Sequence, residues 1–291
     1  MMKNIIFNKI VYTFRNILVK MKLKFKLRLF KLVKSDFKPL YEEPQKTQIS
    51  TFFGEKMIVF PPEEVSVKLI KNGYFEENLT YMFLKKIKKE MTVLDIGTHF
   101  GYFTLLASRL VGEKGQVHSF EPTPSTFSVL KENTENKKNI KINNIAMWSS
   151  KTKIKFKDYG IAFSAFNTIF DARLDEDKRN KLKIQEHNID TSFVDLYVSE
   201  KNIIPNFIKI DAESAEFEII KGMQKTIEKF KPMISLEVGD QNIKNVPKCK
   251  EIINFILDKR YDVFEYNGKK LIKHKVLDKY KYSNLLFCPK K

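Results

Sequence analysis

Two carboxylates bracket a glycine turn. In the run TVLDIGTHFGYFT, residues 92–104, Asp95 lies within a short apolar stretch of Val93, Leu94 and Ile96, and Gly97 and Gly101 follow. An apolar run of this length ended by glycines is the pattern of a buried parallel strand that turns sharply into a helix. Such a unit sets the N–H groups of the helix start over the crevice at the carboxyl end of a sheet, where α/β folds hold nucleotide-like ligands. The next apolar stretch, Val117 to Phe120, ends in Glu121. That is about 20 to 25 residues past the turn, the separation at which a carboxylate reaches ribose hydroxyls. A dinucleotide site needs GxGxxG so that a diphosphate can lie on the backbone, whereas here two glycines stand as GxxxG. The pattern suits a phosphate-free ligand such as S-adenosylmethionine, with its amino acid end held by backbone groups and an acid-linked network.

More acids follow at the same edge. Phe207 to Ile210 reads as a strand that delivers Asp211, and a helix starts at once, with Ser214 as its cap and Glu216 and Glu218 in its positive first turn. A helix-start role accounts for Glu216 but not for Asp211, so Asp211 and Glu213 are placed at the crevice mouth. The strand MISLEV, residues 233–238, brings Glu237 to the same rim. Methyl transfer from a sulfonium requires alignment and exclusion of water, and a hydroxyl acceptor needs a base within hydrogen-bond reach. Asp211 is the first candidate for that base, followed by Glu237 and His99. His99 lies inside the glycine turn, where contact with the cofactor's carboxylate is an equal role. Several acids at one rim could hold a divalent ion, but no His-rich cluster accompanies them and Cys249 and Cys288 lack a CxxC or His partner, so a metal-independent reaction is expected.

The elements that must position these groups can be traced in order. KMIVF (56–60) and Val65 to Ile70 read as short strands separated by Pro61 and Pro62, and Leu79 to Ile87 as a helix preceded by Glu76 and Glu77. After the turn, Tyr102, Phe103, Leu106 and Leu110 share a helical face toward the core, which Gly112 and Gly115 end. Thr123 can cap a helix that opens on Pro124. Ile140 to Ala146 is a third strand, with Asn144 and Ala146 beside the expected adenine. The expected cofactor contacts are therefore Asp95, Gly97, Thr98, His99, Gly101, Tyr102, Phe103, Glu121, Pro122, Asn144, Ala146 and Asp211. Residues 152–198 hold an alternating strand, Lys151 to Lys157, a second in SAFNTIF, and a charged helix or loop over 174–182, an insertion that could supply a substrate wall. A helix from Lys248 to Lys259 precedes an antiparallel pair, YDVFEYNG and SNLLFCPK.

VLDIGTHFGYFT, HSFEPTPSTFSVLKENTENKKN and IKIDAESAEFEIIKGMQKTIEKFKPMISLEV together resemble the successive motifs of the FkbM-type S-adenosylmethionine-dependent methyltransferases, in order and spacing over residues 70–240. The resemblance implies an α/β, Rossmann-like class I methyltransferase fold. Its sheet would have seven mostly parallel strands in the order 3-2-1-4-5-7-6, the last antiparallel, with helices on both faces. It implies S-adenosylmethionine as cofactor, methylation of a hydroxyl on a sugar, surface glycan or related metabolite, and an acid at Glu76 or Glu77 framing the pocket. His99 stands where the family usually has Asn, and Ser214 where its DxEGxE signature has Gly. These departures motivate one alternative, a binding protein that keeps the fold without turnover. RNA methylation is another, motivated by charge, although no NPPY or DPPY motif is present.

Composition sets the remaining bounds. The chain has 291 residues, 43% of them hydrophobic, and a net charge of +18. Residues 1–40 carry 11 Lys or Arg against one Asp, hence +10 of that charge. Ile6, Ile10, Phe14, Ile17 and Met21 recur on one helical face, while KLKFKLRLF (22–30) alternates as a basic-edged strand or a less regular helix. Residues 1–45 are thus expected to be a basic amphipathic arm and linker, ahead of a methyltransferase domain over 46–291. Such an arm can lie on an anionic membrane. No apolar run is long enough for a signal-peptide core or a membrane span, and the expected location is cytoplasmic with peripheral membrane contact. The expected partner is a small-molecule or glycan acceptor rather than nucleic acid.

Overall fold

The fold is built on apolar runs that alternate with amphipathic helices, the sequence order that produces a parallel sheet covered on both faces. A computed structural model describes residues 23–32, 35–40, 42–170, 184–240, 243, 246–268 and 270–290. The chain enters through α1 (Leu23–Leu32), a hairpin of β1 (Thr47–Ser50) and β2 (Lys56–Val59), α2 (Glu64–Asn72) and α3 (Glu77–Lys86). The first half of the sheet then forms from β3 (Thr92–Ile96), α4 (Tyr102–Val111), β4 (Gln116–Phe120), α5 (Pro124–Thr134) and β5 (Ile140–Asn143). A side unit follows, with β6 (Ala146–Met147), β7 (Lys153–Asp158), a 3₁₀ turn at Ile161–Phe166 and β8 (Gln185–Ser192). The second half comprises α6 (Val194–Lys201), β9 (Phe207–Ile210), α7 (Glu216–Lys221), α8 (Gln224–Phe230) and β10 (Met233–Val238). The chain closes on α9 (Cys249–Leu257), β11 (Tyr261–Tyr266), β12 (Leu271–Lys273) and β13 (Ser283–Pro289).

The main sheet has the order β5-β4-β3-β9-β10-β13-β11-β12. Strands β5, β4, β3, β9 and β10 pair in parallel, and β13 runs antiparallel to both β10 and β11. This is the expected 3-2-1-4-5-7-6 order of a class I methyltransferase with one strand added. β12 returns antiparallel on β11, so among the described residues the sheet has eight strands rather than seven. One apolar core, including Leu79, Phe83, Phe103 and Phe207, lies with α3 and α4; the other, including Val194, Ile219, Ile253 and Leu236, lies with α6, α7 and α9.

Several local expectations are corrected. Val65 to Ile70 is helical, within α2, because the Glu63 carboxylate caps the N–H groups of Val65 (2.8 Å) and Ser66 (2.7 Å) and Gly73 closes the helix at φ 73°. The third strand splits: β5 stays in the main sheet, while Ala146 and Met147 leave it to pair with β8. SAFNTIF does not form a strand; it runs from the 3₁₀ turn into a single bridge, Thr168 to Lys157. Thr123 precedes Pro124 at the start of α5 but makes no side-chain cap, and α7 starts after Ala215, so Ser214 is not its cap. The expected helix over 5–21 and the charged segment 174–182 lie outside the described residues. Among those residues, no helix is long and apolar enough to cross a membrane.

LKFKLRLF, residues 23–30, resolves as helix. In α1, Leu27 and Phe30 are buried in the core shared with Phe52 and Leu69, the Phe30 and Phe52 rings meet edge-on at 6.4 Å, and Lys31 pairs with Glu77 at 2.6 Å. Lys24, Phe25, Arg28 and Leu32 stay exposed. Truncating a buried Phe costs about 3–5 kcal/mol. Phe30→Ala should lower the unfolding free energy by about that much in urea titration, whereas Phe25→Ala, 47% exposed, should change it by no more than about 0.5 kcal/mol.

Candidate active site

The site forms where the sheet order reverses, between β3 and β9, at the carboxyl ends of the strands. Both crossovers start with backbone that side chains rarely adopt. Gly97 has φ 75°, and a Cβ there would stand 1.6 Å from the Asp211 carbonyl oxygen, so only glycine lets the β3 and β9 loops touch. Gly101, at φ 95°, opens α4, and its added Cβ would stand 2.8 Å from Leu130 Cδ1. His99 (φ 54°), Glu213 (φ 47°) and Ser214 (φ 81°) are also left-handed. Ser214 thus adopts the conformation that the glycine of the DxEGxE signature favours.

The N–H groups of the turn do not all face the crevice. Those of Gly97 (3.1 Å) and Thr98 (3.3 Å) donate to the Phe120 carbonyl, and that of His99 donates to Glu121 Oε2 (2.9 Å). Glu121 Oε1 also accepts from the Thr123 N–H (3.0 Å). Burial outweighs these bonds and raises the Glu121 carboxyl to about 7. Asn144 braces the same corner, donating to the carbonyls of Glu121 (2.8 Å) and Pro122 (3.0 Å).

Beneath the turn lies a buried ion cluster. Asp95 on β3 and Lys209 on β9 are direct cross-strand partners. The Lys209 ammonium donates to the Gly97 carbonyl at 2.9 Å and stands 3.5 Å from Asp95 Oδ1 and 3.2 Å from Asp211 Oδ2. Thr104 donates to Asp95 Oδ2 at 2.6 Å. Burial pushes both groups toward neutrality, Lys209 downward and Asp95 upward. For Lys209 the carboxylates of Asp211, Asp95 and Glu76 overcome it and the ammonium stays charged, whereas the Asp95 carboxyl remains above the usual range.

A cavity of about 610 Å³ opens above this cluster, lined by Gly97, Thr98, His99, Tyr102, Phe103, Glu121, Pro122, Ala146, Asp211 and Glu237. Asp95, Gly101 and Asn144 are not in that lining: Asp95 is fully buried below it, Gly101 opens α4 and Asn144 holds the Glu121 carbonyl. Sequence reasoning missed Lys209, although a lysine inside the apolar run FIKI was a visible signal. It also missed Ser164, Phe166 and Asn167, which wall the cavity from the side unit and whose irregular backbone has no periodicity to find. His99 Nε2 lies 2.8 Å from Ser164 Oγ, its ring rests on Phe100 at 3.9 Å, and burial lowers it to about 3. It is therefore a neutral imidazole at physiological pH, fitted for hydrogen bonding rather than for collecting a proton. Glu76 lines the cavity too, pushed up to about 8 by burial and the neighbouring Asp211 charge.

These residues fit S-adenosylmethionine. The volume lies within the roughly 300–1,000 Å³ of small-molecule sites. Glu121 presents a carboxyl from the end of β4, and the close approach at Gly97 keeps side chains out of the turn.

A family model described as the methyltransferase FkbM domain matches residues 95–263. Among curated proteins, the hexuronic acid methyltransferase AglP of Haloferax volcanii is 25% identical over 154 residues, 53% of this chain and 58% of that protein. The chain therefore spans less than two thirds of that relative. Among solved structures, the methyltransferase FkbM of Methylobacillus flagellatus is 17% identical, with a TM-score of 0.42 over 68% of this chain and 43% of that one. An O-methyltransferase of Bacillus cereus in complex with SAH is 14% identical, with a TM-score of 0.41 over 75% of this chain and 83% of that one.

Removing one partner of a buried ion cluster leaves uncompensated charge, at a cost of about 3–5 kcal/mol. Lys209→Met should lose stability of that order in urea denaturation. Ser214→Gly should act oppositely, gaining about 0.5–1 kcal/mol by relieving the left-handed backbone, with a matching rise in Tm.

Proposed function

The chain belongs to the methyltransferase FkbM family of S-adenosylmethionine-dependent methyltransferases, and from that premise we propose that it O-methylates a hydroxyl of a sugar, surface glycan or related metabolite. The observation that carries this reading is the pair of carboxylates, Asp211 and Glu237, on the wall of the cavity that Gly97, Thr98 and Glu121 also line. The sugar-directed name of the Haloferax relative supports the acceptor class.

S-adenosylmethionine, when bound, supplies a methyl group activated on a sulfonium. In this reading Glu121 accepts hydrogen bonds from the ribose hydroxyls, and the His99 side chain faces the amino acid end. Pro122, Ala146, Tyr102 and Phe103 complete the apolar walls. Asp211 takes the proton of the acceptor hydroxyl, with Glu237 as the second carboxylate in reach of the cavity. Lys209 holds Asp211 in place through their 3.2 Å contact, and His99, tied to Ser164, positions rather than deprotonates. The side unit, through Phe156 and Phe166, excludes water. The catalytic unit is residues 46–291. The exposed Lys24, Phe25, Arg28 and Leu32 of α1 support peripheral contact with an anionic membrane from the cytoplasmic side, where a lipid-linked glycan would be presented.

Isothermal titration with S-adenosylmethionine tests the reading. A carboxyl at about 7 is protonated below that pH and charged above it, and a charged acceptor makes the stronger hydrogen bond. Affinity should therefore rise from pH 6 to pH 8 by roughly three- to tenfold, about 1 kcal/mol, and Glu121→Gln should abolish that rise. Absence of binding by the intact protein would sink the reading. With a glycan acceptor in hand, Asp211→Asn should reduce kcat by about 100-fold or more, the scale of general-base catalysis.

A further inference from the structure

Three carboxylates meet at the rim where β9 and β10 end. Asp211 follows β9, Glu213 lies two residues on, and Glu237 is buried in β10. One oxygen from each lies within 4.8 Å of the others. Two oxygens on one Ca²⁺ ion stand at most about 5 Å apart, and on one Mg²⁺ about 4 Å, so the three already occupy the span of a single hard cation. An independent observation points the same way. Glu76 Oε2 is buried without a hydrogen-bond partner, on a side chain that lines the same cavity. The Glu76 side chain is held by Asn284, which is the cross-strand partner of Glu237 on β13, and it is close enough to Asp211 for the two charges to repel. A buried carboxylate oxygen without a partner is costly, and this one lies on a side chain that shares the cavity with the three carboxylates. The nearby ammonium of Lys209 is already engaged below the turn by Asp95, Asp211 and the Gly97 carbonyl.

We propose that Asp211, Glu213 and Glu237 bind a hard divalent cation, with Glu76 as a fourth carboxylate facing it. This departs from the metal-free reaction expected from the sequence, where the absence of histidines weighed against a metal. Histidine is not required, because hard cations take oxygen ligands. The catalytic role, though not the site itself, rests on the methyltransferase reading. An acceptor hydroxyl that coordinates the cation releases its proton more readily, to a neighbouring carboxylate or to water, and is held as an oxyanion toward the methyl donor.

The test uses the full chain after chelation and dialysis, titrated with Mn²⁺, Ca²⁺ and Mg²⁺ by calorimetry, with Mn²⁺ also followed by electron paramagnetic resonance. Saturable binding of one equivalent is expected. It should weaken at least about tenfold in Glu213→Gln and in Glu237→Gln, and stay unchanged in Glu64→Gln, which alters an acid of the same cavity outside the cluster. Near-ultraviolet circular dichroism checks that each variant folds. If the buried Glu237 variant does not fold, the half-exposed Glu213 variant decides. No saturable binding by the intact chain, or equal binding by the Glu213 and Glu64 variants, would overturn the proposal. S-adenosylmethionine is titrated separately, so cofactor binding without cation binding removes the metal and leaves the methyltransferase reading standing, and the converse separates them the other way.

Discussion

The Lys209 ammonium is the interaction on which the site depends. It sits in the middle of the sheet, on a strand whose four residues are all buried, and it ties three pieces of backbone together. Asp95 belongs to β3 and Asp211 to the loop after β9, while the Gly97 carbonyl belongs to the turn between β3 and α4. A lysine in such a place is costly unless its charge is met and its hydrogen bonds are made. Here its charge is met by Asp95 and Asp211 and it donates to the Gly97 carbonyl, and these contacts bridge the two loops that frame the cavity. Gly97 makes this closeness sterically feasible, since its backbone lies against the Asp211 carbonyl with no room for a Cβ.

Much of this was legible in the sequence, for reasons that differ by element. The β3–turn–α4 unit and the strand ending in Glu121 could be read because parallel strands covered on both faces are continuous apolar runs and the turn needs glycine. The strand order came from the family resemblance rather than from any pattern. Val65 to Ile70 misled because VSVKLI alternates over its first residues, while the Glu63 carboxylate that caps the helix lies outside the run. The eighth strand is three residues long, too short to carry a period.

For the site, residue types were readable but partnerships were not. Asp95 was recognisable as an acid in an apolar strand. That it faces Lys209 follows from β3 and β9 being neighbours in register, a relation between segments more than a hundred residues apart. The turn's N–H groups were expected over the crevice. Two of them instead serve the Phe120 carbonyl and a third serves Glu121, because β4 comes close enough to claim them. Ser164 was invisible as a partner of His99, since nothing in an irregular segment announces where it will fold back.

Left-handed backbone recurs around the cavity: Glu76, His99, Glu213 and Ser214 all have positive φ, and all four line it or adjoin residues that do. Such conformations cost about 1–3 kcal/mol each and persist only where the surroundings over-determine them. At His99 the determinant is visible, because its N–H is held by Glu121 and its ring by Ser164 and Phe100. Near Ser214 it is the Glu216 carboxylate, which accepts the N–H of Ala212 at 2.9 Å and that of Ser214 at 3.4 Å. The acids of the signature thus divide their work. Glu216 spends its carboxylate on shaping the loop, which leaves Asp211 and Glu213 to face the cavity with Glu237. Burial sorts the remaining groups: it drives His99 to neutrality and raises Glu121 and Glu76 toward or above physiological pH. The cavity's remaining carboxylates, Asp211, Glu213 and Glu237, thus gather at the β9–β10 rim, where Asp211 stands 3.2 Å from the buried Lys209 ammonium.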